Sequence, residues 1–266
     1  MQTLWDKINK KICLIKALIK IAVLESFSFR LDMLFGLFSS IIWIGIPIIF
    51  FKIIFLNVDS IAGWSFNECL LLVGIYTFID GIMMSFLIRS MPKLEYDIRE
   101  GGLDSVLVKP MPAQLYYFFR SIDFTQLLNS LLGIGIIIYA LTFIKFTGIH
   151  LIFSFVSCIL GGVIYYSIWF IWTISAFWFP TNFGRTDLFL SMITISRYPS
   201  TIYTGMGAFI FNFLLPFGLV ATPATVVLLQ SSYKLLLLQL LVTIIFINLD
   251  MLFWKLGVRK YDGAGR

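Results

Sequence analysis

The sequence is poor in the residues that most catalytic and metal sites need. It holds one histidine, His150, and three cysteines, at positions 13, 69 and 158. One histidine excludes the two-histidine zinc motif of metalloproteases, and three widely separated cysteines give no disulfide framework. No glycine is followed by lysine, which excludes the P-loop that cradles the phosphates of ATP. We therefore do not expect this chain to be an enzyme or to hold a cofactor.

Charge is also scarce, at 13% of the residues, whereas 59% are hydrophobic. Soluble domains carry about 25% charged residues, so a soluble fold of this size would lack polar surface. The net charge of +6 comes from lysines and arginines between apolar runs, which is typical of membrane topology rather than of nucleic-acid binding. We therefore predict a multi-pass, all-α protein of the cell membrane that contacts lipids and no nucleic acid.

Long apolar runs predict how often the chain crosses the bilayer, because a spanning helix needs about 20 apolar residues. Five runs are long enough, and proline, glycine and arginine interrupt the stretch 186–229 before the last one. That stretch is too long for one helix and too broken for two good ones, so we predict one crossing plus one or two half-helices. The six predicted spans, in one domain over 31–266, are 31–56, 68–91, 115–144, 150–179, one within 186–229, and 234–256.

The distribution of lysine and arginine orients these spans. Sixteen of these basic residues lie in residues 1–30, in the loop 89–120, at Arg185 after the fourth span, or at and after the end of the last span. Three lie at the opposite ends of the spans. Positive charge collects on the cytoplasmic side. Both termini and the loop 89–120 are therefore predicted to be cytoplasmic.

Residues 1–30 form a predicted helix of their own. Apolar residues recur at helical spacing from Leu4 to Val23, while Lys10, Lys16 and Lys20 point away from that stripe. Such a helix lies in the membrane interface or packs, solvated, on a partner. We favour the interfacial helix.

A few ionisable residues fall inside or at the ends of the predicted spans, where they are expensive. Asp80, in the middle of the second span, is interpreted as a polar anchor between helices, with a ligand or proton site as the alternative. Arg197 is either a snorkelling interfacial residue or part of the polar lining of the broken stretch. Asp123 and Asp250 are interpreted as solvated edges of their spans.

The longest hydrophilic loop between spans is PKLEYDIREGGLDSVLVKPMP, residues 92–112. Proline and a Gly-Gly pair bracket a short charged helix at Lys93–Glu100, and a second short piece follows at Leu103–Val108. A capped element joined to two spans can transmit motion from a soluble partner. Composition alone slightly favours the alternative, an ordinary solvated loop.

Three stretches resemble a known transporter family. IREGGLDSVLVKPMPAQ (Ile98–Gln114) resembles the cytoplasmic loop of type-2 ABC transporter permeases, in the branch with the pattern REG-x-LD-x-x-L-x-KP. RYPSTIY (Arg197–Tyr203) and NFLLPFGLVATPA (Asn212–Ala224) resemble later motifs of the same branch, in the same order and spacing. Two small departures are Ser196, where alanine is usual, and Thr222, where an aromatic residue is more common.

The resemblance implies a bacterial permease subunit of an ATP-driven exporter. A separate ABC ATPase subunit would bind ATP and Mg, and a second permease, either a different chain or a copy of this one, would complete the translocation path. The loop Pro92–Lys109 would dock on the ATPase as a coupling helix, and Arg197–Ala224 would form re-entrant half-helices. The residues thereby assigned to ATPase docking are Glu95, Asp97, Arg99, Glu100, Leu103 and Asp104, and those assigned to the re-entrant region are Arg197, Pro199, Pro216 and Pro223.

Two other classes of function stay open. In an ion-coupled secondary transporter Asp80 and Arg197 would be the coupling sites, although no internal repeat of the kind found in many such transporters is visible. The other class is a membrane-embedded enzyme or scaffold, for which His150 is the candidate catalytic residue. The transported substrate is not fixed by the sequence.

Overall fold

The computed structural model describes residues 30–181, 184–230 and 233–261, together with positions 13, 15–17, 19 and 20. Those few early positions are helical, but the rest of the predicted interfacial helix over 1–30 lies outside the described residues. Within the described ranges regular structure is helical, apart from one isolated bridge between Ile61 and Trp64. The prediction of an all-α fold is confirmed.

Eleven α-helices follow one another in the described part of the chain. They are α1 (Arg30–Ile54), α2 (Phe66–Leu87), α3 (Ser90–Arg99), α4 (Asp104–Leu107), α5 (Ala113–Arg120), α6 (Phe124–Leu141), α7 (Gly148–Ile174), α8 (Arg185–Ile193), α9 (Gly205–Phe209), α10 (Thr222–Gln230) and α11 (Lys234–Lys260). Short 3₁₀ turns lie at Ser175–Phe177, Thr194–Arg197, Ser200–Ile202 and Phe217–Leu219, and one π-helical turn lies at Ile210–Leu214.

Four helical stretches are long and apolar enough to cross a membrane: Phe66–Arg99, Phe124–Leu141, Gly148–Phe177 and Lys234–Lys260. The pair Gly205–Leu214 and Phe217–Leu229, bent by 71°, makes a fifth if it is counted as one span. Helix α1 contains a shorter apolar stretch, Phe38–Ile54. These helices support a multi-pass membrane protein, whereas the number of six spans and the orientation of the termini stay predictions.

Two predicted spans differ from the observed helices. The second runs on past position 91, because α3 follows α2 after only two residues. The third, predicted over 115–144, begins as α5 and continues as α6, and three residues separate these helices, of which Ser121 and Asp123 are extended. Asp123 causes the new start, since its side chain accepts the backbone N–H of Thr125 at 3.0 Å and caps α6. Asp123 is also paired with Arg89 at 2.9 Å.

Helices α2 and α6 pack with their backbones close together. A Cβ atom on Gly81 would lie 2.5 Å from the backbone nitrogen of Ser130, and one on Gly133 would lie 2.6 Å from the backbone nitrogen of Phe78. Small residues at such contacts let membrane helices approach closely, since packing rather than water exclusion holds them together.

The stretch between α7 and α11 is broken, as the sequence predicts, and each predicted proline lies at a break. Pro199 precedes the 3₁₀ turn Ser200–Ile202, and Pro216 precedes the turn Phe217–Leu219. Pro223 lies in the first turn of α10, where a missing N–H costs nothing.

Side chains from the flanking helices satisfy the backbone of this broken stretch. The Gln239 amide of α11 donates to the backbone carbonyls of Leu219 at 2.9 Å and of Ser157 at 3.0 Å. The Ser154 hydroxyl of α7 donates to the carbonyl of Ala224 at 2.9 Å. A free carbonyl in hydrocarbon costs several kcal/mol, so these bonds permit irregular backbone at this depth.

Asp250 lies on the buried face of α11. Gln239, Thr243 and Phe246 are buried on the same face, at helical spacing from Asp250. The Ser167 hydroxyl of α7 donates to the Asp250 carboxylate at 2.6 Å. The interpretation of Asp250 as a solvated edge is therefore wrong, because this helical spacing turns it toward α7.

The close contact of α2 and α6 predicts opposite effects for two neighbouring glycines. Gly133→Ala places a methyl group against the backbone of Phe78, and overpacking of this kind costs about 1–3 kcal/mol. Gly135→Ala meets nothing within 4 Å, and it is expected to be neutral or to stabilise α6 by up to about 1 kcal/mol. Thermal unfolding of the two variants in detergent, followed by size-exclusion chromatography, checks the difference; equal stabilities would contradict this packing.

Candidate coupling segment and intramembrane polar cluster

Residues 90–108 (the 90–108 segment) form two short helices, α3 and α4, that continue α2. The turn between them uses Gly101, whose φ of +81° suits glycine. Leu103 closes the turn: its backbone N–H donates to the carbonyl of Asp97 at 3.1 Å. The predicted helix–glycine–helix arrangement of this loop is therefore present, with α3 starting three residues earlier than predicted.

Asp97 is the centre of the segment and is 5% exposed. Its carboxylate pairs with Lys93 at 2.8 Å and with Arg120 of α5 at 3.5 Å, and it accepts the hydroxyl of Tyr117 at 2.8 Å. Burial, and then the bond to Asp97, raise the pKa of the Tyr117 phenol, so it remains a donor. A Cβ atom on Gly102 would lie 2.6 Å from the Asp97 carboxylate, which explains the second glycine.

Glu95 joins the segment to a different part of the protein. Its carboxylate accepts the guanidinium of Arg185, the first residue of α8, at 2.6 Å, and both side chains are nearly buried. The same guanidinium donates to the hydroxyl of Ser175 at 3.0 Å and to the carbonyl of Phe179, at the end of α7. One arginine therefore links α3, α7 and α8.

The opposite face of the segment is exposed and mixes apolar with acidic side chains. Tyr96, Leu107 and Val108 are the apolar members, and Val108 is 83% exposed. Glu100 and Asp104 are the exposed acids. These five residues are called the exposed face.

The residues predicted to dock the ATPase divide between the two sides. Three of them point into the protein: Glu95, Asp97 and Leu103. Glu100 and Asp104 lie on the exposed face, and Arg99 is partly exposed, 4.0 Å from Glu100. Charge does not distinguish exposed from buried residues in this segment, and the predicted docking residues include neither the apolar members of the exposed face nor Arg185.

A polar cluster lies among the helices farther from this segment. The Asp80 carboxylate accepts hydroxyls from Tyr76 at 3.0 Å and from Tyr165 of α7 at 2.9 Å. The Arg197 guanidinium lies 4.6 Å from the ring centre of Trp43 and 5.2 Å from that of Tyr76. Arg197 is 8% exposed, so of its two interpretations the structure favours the polar lining.

A cavity of about 700 Å³ borders this cluster, between α1, α2, α6 and the residues 187–197. Asp80 and Arg197 line it together with amides and hydroxyls of the neighbouring helices. The other three residues assigned to the re-entrant region, all prolines, do not line it. Within the described residues no group of three histidine, cysteine or carboxylate side chains is arranged to hold a metal ion.

Comparison with known proteins adds a family to this geometry. The family model of the ABC-2 family transporter proteins matches residues 41–265, which is most of the 266-residue chain. No curated protein and no solved structure matched the chain. The match spans the 90–108 segment, the polar cluster and the broken stretch alike. A membrane protein of this architecture, matched over that range, belongs to the ABC-2 family of transporter proteins.

Proposed function

We propose that this chain is the permease subunit of an ATP-driven exporter and that a separate ATPase docks on the exposed face of the 90–108 segment. The observation that carries the proposal is the double attachment of this segment. It continues α2 directly, and buried ion pairs fasten it to α5 through Asp97 and to α8 through Glu95.

This attachment suits the transmission of force. A displaced exposed face moves α2, and because Asp97 holds Arg120 and Tyr117, it also moves α5 and the start of α6. Breaking a buried pair by moving one partner away leaves an uncompensated charge, which is strongly unfavourable. The segment therefore moves with the helices instead of detaching from them.

The exposed face has the chemistry of a docking surface. Its apolar side chains, Tyr96, Leu107 and Val108, would fill an apolar groove on the ATPase, and Glu100 and Asp104 would meet a basic rim. Docking surfaces commonly combine apolar and aromatic anchors with a polar edge. ATP and Mg would be bound by the partner and not by this chain.

In this proposal the chain crosses the membrane six times, with both termini in the cytoplasm. The fifth crossing is the stretch 185–203. Arg185 lies at the level of the 90–108 segment through its bond to Glu95, while Thr201 accepts the indole N–H of Trp64, beyond the opposite end of α2, at 2.9 Å. The bent pair that follows would be the re-entrant part, and a second permease would cover the open side of the polar cavity.

Photocrosslinking tests the docking surface. We expect p-benzoylphenylalanine at Val108 to capture a protein with a P-loop when membranes of the source organism are irradiated, because this side chain is on the exposed face. The matched control is the same probe at Leu56, which is 77% exposed at the other end of the helices and is expected to capture no ATPase. Mass spectrometry identifies the product; capture of the same ATPase at both positions, or at neither, would contradict the proposal.

The buried anchor predicts a loss of transmission without a loss of docking. Asp97→Asn removes the charge that holds Lys93 and Arg120, at a cost of about 1–3 kcal/mol, but it leaves the exposed face intact. We expect the captured ATPase to co-purify as before, while its stimulation by the permease in proteoliposomes falls severalfold. Asp59→Asn, at an exposed loop carboxylate, is the control that leaves both unchanged.

Loss of co-purification in Asp97→Asn, with the fold intact, would show instead that Asp97 contacts the ATPase directly. Unchanged stimulation would show that the segment does not transmit force through this anchor.

A further inference from the structure

Two side chains of opposite charge, the partly buried Asp80 and the buried Arg197, line the polar cavity without forming an ion pair with each other. Tyr76 lies between them: its hydroxyl donates to Asp80, and its ring lies under the guanidinium of Arg197. No ion pair between described residues includes either charge within 4.0 Å. The two charges interact electrostatically across Tyr76, but a charge at membrane depth is expensive unless a close partner compensates it, so each has capacity for a second counter-charge in direct contact.

The hydrogen bonds leave specific atoms available. Both tyrosine hydroxyls that reach Asp80 use the same carboxylate oxygen, Oδ1, so the other oxygen, Oδ2, accepts no hydrogen bond from a described residue. Arg197 stacks its guanidinium on Trp43 and Tyr76 and also hydrogen-bonds the Tyr76 side chain. A guanidinium has five N–H donors, so further donors remain for an acceptor.

The side chain of Asn129 provides a third polar group that a ligand in the cavity could bind. Asn129 lines the cavity beside Gln126 and donates to its amide oxygen at 2.8 Å. The Asn129 carbonyl oxygen is buried and has no hydrogen-bond partner. A buried unsatisfied acceptor costs about 1–3 kcal/mol, and Asn129 and Asp80 line the same cavity, so both offer an acceptor oxygen to an ammonium group.

The rest of the wall is mixed. Its apolar members include Ile44, Pro47, Met84, Ile88 and Leu190, and its polar members include serine and threonine side chains and the exposed carboxylate of Asp187. A volume of about 700 Å³ is in the range of sites for ligands of moderate size. The cavity can thus accommodate a charged head group together with part of an apolar chain.

From these features we infer that the cavity binds a zwitterionic amphiphile, with its ammonium group at Asp80 and Asn129 and its anionic group at Arg197. Under the proposed function this ligand would be the exported cargo or a lipid in its path, and the inference rests on the proposed function for that role only. Binding itself needs neither ATP nor the ATPase.

A second cavity in the same helices provides a contrast. It has about 520 Å³ between α2, α5 and α7, and its lining is apolar except for Gln114, Cys158 and the Tyr166 hydroxyl. With no charge on its wall it has no means to distinguish a zwitterion from an anion. Selectivity between the two head groups is therefore diagnostic of the polar cavity.

Tryptophan fluorescence of the purified chain in a non-ionic detergent provides the binding assay. Trp43 lies against Arg197, so the ligand-dependent signal of interest is the part that Trp43→Phe removes. The probes are lysophosphatidylethanolamine, which is zwitterionic, lysophosphatidylglycerol, which is anionic with the same acyl chain, and glycerophosphoethanolamine, which lacks the chain. We expect the zwitterionic lipid to bind at least about tenfold more tightly than the anionic one, as loss of a charge-assisted bond implies.

The variants assign this preference to the two charges. Asp80→Asn keeps an acceptor for both tyrosines but loses the charge, so it is expected to abolish the preference for the zwitterion. Arg197→Gln is expected to weaken the binding of both lipids at least about tenfold. Asp250→Asn, the matched control at a buried carboxylate outside the cavity, is expected to change neither affinity.

Equal affinity for the two lipids in the parent chain, or a preference that persists in Asp80→Asn, would overturn the inference. If Asp80→Asn does not fold, Arg197→Gln decides the matter: unchanged binding of the anionic lipid excludes the cavity as the site. Binding of glycerophosphoethanolamine as tight as that of the lipid would overturn the assignment to an amphiphile and point to a soluble zwitterion, and much weaker binding supports an amphiphile. A negative result leaves the docking of an ATPase standing, because the photocrosslinking at Val108 measures docking independently.

Discussion

The hydrocarbon interior of a membrane offers no water to a broken helix, and this constraint organises the fold around the stretch between α7 and α11. The stretch bends by 71° and exposes carbonyls that a continuous helix would have satisfied. Gln239 and Ser154 supply the missing donors from the two flanking helices. Gly161 of α7 lets the backbone at Val220 come close enough for this to occur. Helices α7 and α11 thus act as the scaffold on which an irregular segment becomes possible.

The 90–108 segment and the polar cavity both involve the same two parts of the chain. The first part is the continuous helical stretch Phe66–Arg99, which carries Asp80 and Glu95. The second part follows α7 and carries Arg185 and Arg197. The two parts are joined by the ion pair of Glu95 with Arg185, and both contribute to the wall of the polar cavity, through Asp80 and Arg197. A displacement of the first part relative to the second at the Glu95–Arg185 pair therefore changes the shape of the polar cavity.

Much of this arrangement could be predicted from the sequence, and the misses have physical causes. Apolar runs and prolines located the helices and the broken stretch, because these features act locally. The orientation of Asp97 and Glu95 could not be predicted, since a short charged helix has no stripe that tells buried from exposed until Arg120 and Arg185 are in place. Asp250 is a different case, because the sequence carries two opposing signals. Its helical spacing from Thr243 and Phe246 indicates burial, whereas its proximity to the end of a span indicates exposure.

Arg185 holds three parts of the chain with one planar group, and this has a consequence for which residues the position accepts. Its guanidinium meets a carboxylate of α3, a hydroxyl and a carbonyl in directions that its fork of N–H donors can serve together. Lysine offers the same charge, but its three donors radiate from a single nitrogen, so they cannot reach partners that the separate nitrogens of a guanidinium contact in three directions. An exchange that most substitution scales rate as mild would therefore uncouple three elements at once, which makes this site far less tolerant than its place at the start of a nine-residue helix suggests.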